Sequence, residues 1–215
     1  MNGARMAESR TGVAAARRGL SGDGFGSPTC AASIAMKASG GLDGGMRVLI
    51  SATEIAARVD ALATKIARTI PGDFVIVGLL KGAAVFVADL VRALDRAGAQ
   101  PELEFIRLSS YGPAKESSGK VQIHGDVPAG LAGRPVLLVD DIVDTGRSIA
   151  FAAAQLRQQG IDELWTCALL EKPSRRKIQV AIDFAGFTIG DLFVAGYGTD
   201  YAEKYRHLPY IGVVE

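Results

Sequence analysis

The stretch Val136-Leu-Leu-Val-Asp-Asp-Ile-Val-Asp-Thr-Gly-Arg-Ser148 decides the fold, because an apolar run passes directly into a polar loop. Residues 136–139 favour a buried parallel strand, which we predict to end at the paired carboxylates Asp140 and Asp141. The loop 144–148 supplies small residues, hydroxyls and a glycine, and the apolar residues that follow have helical spacing: Ile149, Ala152, Ala153 and Leu156. Such a loop can point backbone N–H groups, two hydroxyls and a helix N-terminus at one phosphate.

The order of these groups indicates that a single ligand contacts both the carboxylates and the N–H groups of the loop. Carboxylates at the end of a parallel strand can reach ribose hydroxyls or a hard metal ion, while the N–H groups of the loop hold a phosphate nearby. The segment therefore predicts a site for a phosphorylated sugar. In its length and order it resembles the 5-phosphoribosyl 1-diphosphate (PRPP) motif of the type I phosphoribosyltransferases.

Three other interpretations of the segment are weaker. The first strand of a phosphorylation receiver domain would stand at the N-terminus, and no suitably spaced threonine and lysine follow downstream. A nucleotide P-loop requires Gly-x-x-x-x-Gly-Lys-Ser/Thr, which this chain lacks. An ordinary strand, turn and helix would leave the carboxylates of Asp140, Asp141 and Asp144 to repel one another without a cation or hydroxyls to engage them.

Composition indicates one enzyme-sized domain. The chain has 215 residues, of which 48% are hydrophobic and 22% charged, so it can bury a substantial core. A net charge of +1 gives no general affinity for nucleic acid or membrane, and no apolar run approaches the roughly 20 residues of a membrane span. Cys30 and Cys167 form no metal or disulfide pattern, and Cys167 lies in an apolar strand candidate as a reduced core residue. We therefore expect a cytoplasmic protein.

Residues 1–45 differ from the rest, because Gly, Ala, Ser and Arg dominate without hydrophobic periodicity. We predict a disordered extension at 1–45 and a folded domain at 46–215. The arginines of this segment faintly suggest an organelle transit peptide, although its acidic residues oppose that interpretation. A third possibility is that Met46 is the natural start, since a short strand at 46–51 and a capping box at Ser51 and Glu54 open the domain.

The remainder alternates strands with helices. The first helix carries one apolar face, at Ile55, Val59, Leu62, Ile66 and Ile70. A second helix follows near 85–94, and further strands are predicted near 74–80, 103–108, 121–124, 136–139, 164–170 and 182–189. This order predicts an α/β fold with a mainly parallel sheet covered on both faces. Loops after Leu80, Leu108, Val139 and Leu170 should then converge on one cleft.

Two of these loops add polar groups. Lys81 and Gly82 end a strand, where a cation and exposed N–H groups suit a diphosphate. A polar stretch opens at Ser109-Ser110-Tyr111-Gly112 and runs to Lys120, as either a mobile lid or a hairpin loop.

Together these segments closely resemble the 6-oxopurine phosphoribosyltransferase family, in its bacterial hypoxanthine type, from Met46 to Glu215. The resemblance implies a type I phosphoribosyltransferase fold with a small hood. It also implies transfer of the phosphoribosyl group from PRPP to hypoxanthine, with guanine as a second base, in the presence of Mg²⁺. A homodimer or homotetramer is the implied assembly.

The resemblance also implies which residues hold PRPP. Asp140 and Asp141 meet the ribose hydroxyls and, with Asp200, a magnesium ion. The 5′-phosphate is held by Asp144, Thr145, Gly146, Arg147 and Ser148. The diphosphate is held by Lys81, Gly82, Ser110, Tyr111 and Arg206.

The purine and the proton transfer are assigned in the same way. Lys172 donates to the 6-oxo group, Phe193 stacks on the base, and the backbone of Val194 recognises its edge. Asp144 is the catalytic base, because it accepts the proton of the purine imidazole nitrogen while the partner nitrogen attacks.

The chain departs from the family pattern at three places: Asp140 replaces a common Glu, Ala83 a frequent Gly, and Thr199 a usual Leu. A xanthine-preferring transferase remains the nearest alternative, since sequence cannot place a donor for a 2-oxo group. PRPP synthetases are longer, and adenine enzymes usually lack an acid at the position of Asp144. An RNA-binding pyrimidine-operon regulator shares the fold, but it predicts a basic face that the balanced charge opposes.

Overall fold

The structure is a computed structural model, and it describes residues 42–43, 46–110 and 121–214 of the chain. The predicted disordered extension lies outside the described residues except for Leu42 and Asp43. Over the described residues the elements are β1 (Leu42–Asp43), β2 (Met46–Ile50), α1 (Ala52–Thr69), β3 (Val75–Leu80), α2 (Ala84–Arg96), β4 (Glu102–Ser110), β5 (Val121–His124), β6 (Val136–Val143), α3 (Arg147–Gln158), β7 (Leu164–Glu171), a short 3-10 helix (Pro173–Arg175), β8 (Phe184–Thr188), β9 (Val194–Ala195) and β10 (Ile211–Val213).

The main sheet has the strand order β5-β4-β3-β6-β7-β8. All neighbours are parallel except β5, which runs antiparallel to β4. The central strands β3 and β6 are apolar and buried along most of their length, as expected for strands covered on both faces. The predicted mainly parallel α/β sheet is confirmed.

Two apolar clusters lie on the two faces of this sheet, because side chains alternate along each strand. Ile76 of β3 packs in a cluster with α1 and α2. Its neighbours Val75 and Val77 pack in the other cluster, with Ile149 and Leu156 of α3. The helices therefore cover the two faces of the sheet, and they do not cover the ends of its strands.

Helix α1 begins at the predicted capping box. The backbone N–H of Glu54 donates to Ser51 Oγ at 3.3 Å, and the N–H of Ser51 donates to Glu54 Oε2 at 2.9 Å. The predicted apolar face is confirmed, since Ile55, Val59, Leu62 and Ile66 are buried within α1 and Ile70 is buried at its C-cap.

A smaller antiparallel sheet, with strand order β1-β2-β10-β9, forms the hood. Its last two strands come from the C-terminal part of the chain, and β10 pairs with both β2 and β9. The loop between β9 and β10 carries residues 196–210 to the main sheet. The hood therefore brings late residues of the chain beside the ends of β3 and β6.

The predicted end of the central strand was wrong. Strand β6 continues through the acid pair to Val143, because β7 keeps pairing with it as far as Val143 opposite Glu171. On the other edge, β3 pairs with β6 only to Val139. The two acids therefore lie inside a strand that has lost one neighbour.

Among the described residues, no helix combines the length and apolarity needed to cross a membrane.

We expect that deleting residues 1–45 leaves the melting temperature and turnover nearly unchanged, because the segment has no apolar periodicity with which to pack on the domain. Calorimetry and an activity assay check this. Strand β1 pairs Leu42 with Arg47, so a deletion that starts the chain at Leu42 is the matched control. A large loss of melting temperature in both proteins would contradict the predicted boundary, and a loss only in the shorter one would assign a contribution to β1.

Candidate active site

A cleft of about 450 Å³ opens at the carboxyl ends of β3, β4 and β6. This is where a parallel sheet with helices on both faces places its ligands. The residues that line it include Lys81, Gly82, Ser109, Asp140, Asp141, Ser148, Asp200 and Arg206. The predicted convergence is confirmed for the segments after Leu80, Leu108 and Val139, whereas the loop after Leu170 does not line this cleft.

The acid pair lies at the base of the cleft, and both carboxylates are buried. The backbone N–H of Asp141 donates to Asp140 Oδ1 at 3.0 Å. Burial, and then the neighbouring charge of Asp141, raises the pKa of Asp140 well above its usual value. Hydroxyls or a cation in the cleft would favour the charged form of this pair.

Asp141 is fixed by two residues outside β6. Its Oδ2 accepts a hydrogen bond of 2.9 Å from the hydroxyl of Thr199, which is itself buried. On the other side, a Cβ at Gly82 would overlap the Asp141 carboxylate. Only glycine therefore fits at position 82 while Asp141 keeps this orientation.

The predicted phosphate loop borders a smaller cavity of about 70 Å³, lined by residues that include Asp140, Asp144, Thr145, Gly146, Arg147 and Ser148. Gly146 has φ +82°, and a Cβ there would approach the carbonyl oxygen of Ile178 to 2.7 Å. Helix α3 starts at Arg147, two residues before Ile149, the first of the apolar residues that predicted a helix. Its N-cap residue Gly146 supplies no side-chain hydrogen bond, and no acidic residue stands in its first turn. The N–H of Arg147 donates weakly to Thr145 Oγ1 at 3.5 Å, so the N–H groups of this first turn can bind an anion.

Lys172, Asp144 and Phe193 lie together in a corner beside the phosphate loop. Lys172 is 6% exposed, and its Nζ lies 3.7 Å from Asp144 Oδ2 and 5.9 Å from the centre of the Phe193 ring. The Phe193 side chain is 73% exposed, whereas Val194 is buried in β9. Lys172 and Val194 do not line the two cavities, but Lys172 contacts Asp144, which lines the smaller one.

The predicted diphosphate residues Lys81 and Arg206 are joined by an acid. Glu203 Oε2 lies 3.0 Å from Lys81 Nζ and 3.3 Å from an Arg206 terminal nitrogen. The same arginine pairs with Asp200 Oδ1 at 2.7 Å and donates to the carbonyl of Gly198 at 2.7 Å.

Part of the predicted site lies outside the described residues. Tyr111 and the rest of the polar stretch to Lys120 lie outside the described residues, so the choice between a lid and a hairpin loop stays open. Ser110 is the last residue of β4, beside the cleft residue Ser109.

Three residues make contacts here that the sequence did not predict, namely Arg175, Thr199 and Glu203. Arg175 Nε lies 3.2 Å from Asp144 Oδ1 and 3.5 Å from Asp191 Oδ1. The basic run Arg175-Arg176-Lys177, just after Lys172, was a signal for such a contact. For the contacts of Thr199 and Glu203 the sequence carries no comparable signal.

The carboxylates of the cleft suit a magnesium ion that takes its other ligands from a substrate. Among the residues that the structure describes, no three His, Cys, Asp or Glu side chains converge to form a complete metal site. Asp140, Asp141 and Asp200 nevertheless place carboxylate oxygens along one cleft. Mg²⁺ commonly takes one or two carboxylates together with substrate phosphates and water, so this donor set is suitable.

Comparison with known proteins identifies related chains. The sequence model of the phosphoribosyl transferase domain matches residues 50–202. The hypoxanthine-guanine phosphoribosyltransferase of Bacillus subtilis is 40% identical over 170 residues, covering 79% of this chain and 93% of the relative. The hypoxanthine phosphoribosyltransferase of Escherichia coli is 41% identical over 172 residues, with coverages of 79% and 95%.

Solved structures agree with these matches. A hypoxanthine phosphoribosyltransferase from Staphylococcus aureus superimposes with a TM-score of 0.73 at 35% identity, covering 79% of this chain and 91% of its own. A hypoxanthine-guanine phosphoribosyltransferase from Bacillus anthracis gives a TM-score of 0.72 at 38% identity, covering 78% and 98%.

Proposed function

This chain belongs to the hypoxanthine-guanine phosphoribosyltransferases, and from that premise we propose how its own residues carry the reaction. The enzyme transfers the 5-phosphoribosyl group of PRPP to hypoxanthine or guanine, which yields IMP or GMP and diphosphate in purine salvage.

The observation that carries the residue assignment is the 3.7 Å contact between Lys172 and Asp144 beside the ring of Phe193. A 6-oxopurine presents its oxygen and the neighbouring imidazole nitrogen on one edge. A cation next to a carboxylate matches that edge, because Lys172 can donate to the oxygen while Asp144 accepts the N–H proton. The exposed face of Phe193 is free to stack on the base.

The remaining groups of the cleft match PRPP. The buried pair Asp140 and Asp141 accepts the ribose hydroxyls, which compensates for the repulsion between the two carboxylates. The N–H groups and hydroxyls of 144–148 hold the 5′-phosphate at the N-terminus of α3. Lys81 and Arg206 face the diphosphate, and Ser110 and Tyr111 complete this set.

The transfer then proceeds with each residue in a defined role. The bond between C1′ and the diphosphate oxygen breaks with its electron pair on the diphosphate, and the purine nitrogen distal to Asp144 forms the new bond to C1′. Positive charge develops on the sugar and negative charge on the leaving group, where Lys81 and Arg206 stabilise it. The proton of the second imidazole nitrogen passes to Asp144.

We propose Mg²⁺ as the cofactor, held by Asp200 and the acid pair. When bound together with PRPP, it neutralises charge on the leaving diphosphate. The support is the line of carboxylates along the cleft, together with the membership of the family.

A panel of bases tests the proposal. We expect PRPP consumption with hypoxanthine and guanine. We expect none with adenine, because Lys172 requires an oxygen acceptor at position 6, and none with uracil, which has no imidazole ring. Coupled measurement of nucleotide and diphosphate release checks this. Preferential use of xanthine would replace the proposed substrate, and turnover with adenine would contradict the assignment of Lys172.

Replacing Asp141 with alanine is expected to raise the KM for PRPP by roughly 10- to 100-fold and to change the purine KM much less, because the lost hydrogen bonds are to ribose. Steady-state kinetics with each substrate varied in turn checks this. The matched control is Asp162→Ala, an exposed acid just before β7 at the opposite end of the sheet. Equal increases for both substrates would argue against ribose contact.

The homodimer or homotetramer and the cytoplasmic location stay predictions. Gel filtration with light scattering tests the first, and cell fractionation the second.

A further inference from the structure

Residues 200–206 form a tight turn beside the diphosphate corner of the cleft. Tyr201 and Lys204 pair through reciprocal backbone hydrogen bonds of 3.2 and 3.0 Å, which leaves Ala202 and Glu203 at the centre. Both central residues have positive φ, +50° and +63°. Turns of this kind favour glycine or asparagine, so an alanine and a glutamate here keep an unfavourable backbone. Backbone strain of this sort is often retained at functional sites.

The strained turn places one carboxylate between two cations. Glu203 Oε2 accepts from Lys81 Nζ at 3.0 Å and from Arg206 at 3.3 Å. Lys81 follows β3 of the main sheet, whereas Arg206 lies in the loop between β9 and β10 of the hood. The N–H of Glu203 donates to Asp200 Oδ2 at 2.8 Å, which holds the turn in place. Hydrogen bonds from Lys81 and then from Arg206 hold the pKa of Glu203 below its ordinary value. The carboxylate is therefore charged when these contacts form.

Those contacts are the ones that a diphosphate oxygen would make. An anionic oxygen shared between an ammonium and a guanidinium is the arrangement by which proteins bind phosphate groups. We propose that Glu203 is a built-in competitor for the diphosphate group: its carboxylate occupies the anion position between Lys81 and Arg206 and leaves when diphosphate binds. This inference rests on the proposed function, because it takes Lys81 and Arg206 as diphosphate contacts.

Exposure makes the exchange feasible. The side chains of Glu203 and Lys81 are 66% and 51% exposed. An ion pair this exposed contributes little, so the Glu203 carboxylate can leave Lys81 and turn into water at small cost. Asp200 is more enclosed and keeps its own contact with Arg206. The competitor therefore lowers the affinity for PRPP before the reaction, and the affinity for diphosphate after it, without removing a cation from the site.

Glu203→Gln tests the proposal, since it keeps the size of the side chain but removes its charge. We expect the Kd of inorganic diphosphate, measured by titration calorimetry with and without Mg²⁺, to fall roughly 3- to 10-fold, because two exposed ion pairs no longer compete. The KM for PRPP should fall in parallel, and the KM for hypoxanthine should not change. Glu163→Gln is the matched control for net charge, because Glu163 is exposed and precedes β7 at the opposite end of the sheet.

An unchanged or weaker affinity for diphosphate in Glu203→Gln would overturn the proposal. A weaker affinity only with Mg²⁺ would instead make Glu203 part of the metal site. Lys81→Ala separates this inference from the proposed function. If Lys81 contacts diphosphate, its removal weakens binding whatever Glu203 does, whereas an unchanged affinity in Lys81→Ala would refute the diphosphate assignment itself.

Discussion

Replacing Asp144 with asparagine is expected to lower kcat by about 10²- to 10⁴-fold and to change the affinity for PRPP little. The substitution keeps the shape beside the phosphate loop but removes the proton acceptor, and general bases contribute factors of this size. Single-turnover measurements check the result, because they isolate the chemical step from product release. Parent rates in such an experiment would show that Asp144 is not the base.

The structure supplies a matched control for this variant. Arg175 pairs with Asp144 at 3.2 Å and with Asp191 at 3.5 Å, so Asp191→Asn removes the other carboxylate from the same arginine. We expect Asp191→Asn to retain most of the turnover. A comparable loss in both variants would indicate that the pairing of Arg175, and not proton transfer, accounts for the effect.

Replacing Lys172 with alanine is expected to reduce kcat/KM for hypoxanthine and guanine roughly 10- to 100-fold, with part of the loss in the affinity for the base. A hydrogen bond from a charged donor to a buried acceptor accounts for this range. Lys172 is almost fully buried against Asp144 and Phe193, so water cannot easily replace its ammonium group. Competition between hypoxanthine and adenine measures the effect on selectivity.

Lys177→Ala is the matched control for the loss of a lysine. Lys177 is exposed, and the hydrogen bond it gives to the phosphate loop, to Thr145 O at 3.0 Å, comes from its backbone N–H and survives the substitution. We expect this variant to keep both kcat/KM and selectivity. If Lys172→Ala also kept its full preference for 6-oxopurines over adenine, the pocket assignment would be wrong.

Local sequence was sufficient for the elements that frame the site. The apolar residues of α1 and α3 recur at helical spacing, and the runs at 75–80 and 136–139 are too apolar for a strand with one face in water. The end of β6 could not be predicted in this way, because β6 extends past the acid pair only where β7 supplies its hydrogen bonds. A strand end depends on its neighbour, and the neighbour is remote in sequence.

The α/β order, the acidic strand, the loop at 144–148 and the identity of most residues near the cleft could all be predicted from the sequence. The tertiary structure alone decided how those residues are paired. Arg175 reaches Asp144 across 31 positions, Thr199 reaches Asp141 across 58, and Lys81 reaches Glu203 across 122. Helix and strand patterns arise from neighbours within a few residues, whereas these contacts depend on how the strands are ordered and where the hood returns to the sheet. For that reason the residues of the cleft could be predicted one by one, while the carboxylate between Lys81 and Arg206 became evident only in the folded chain.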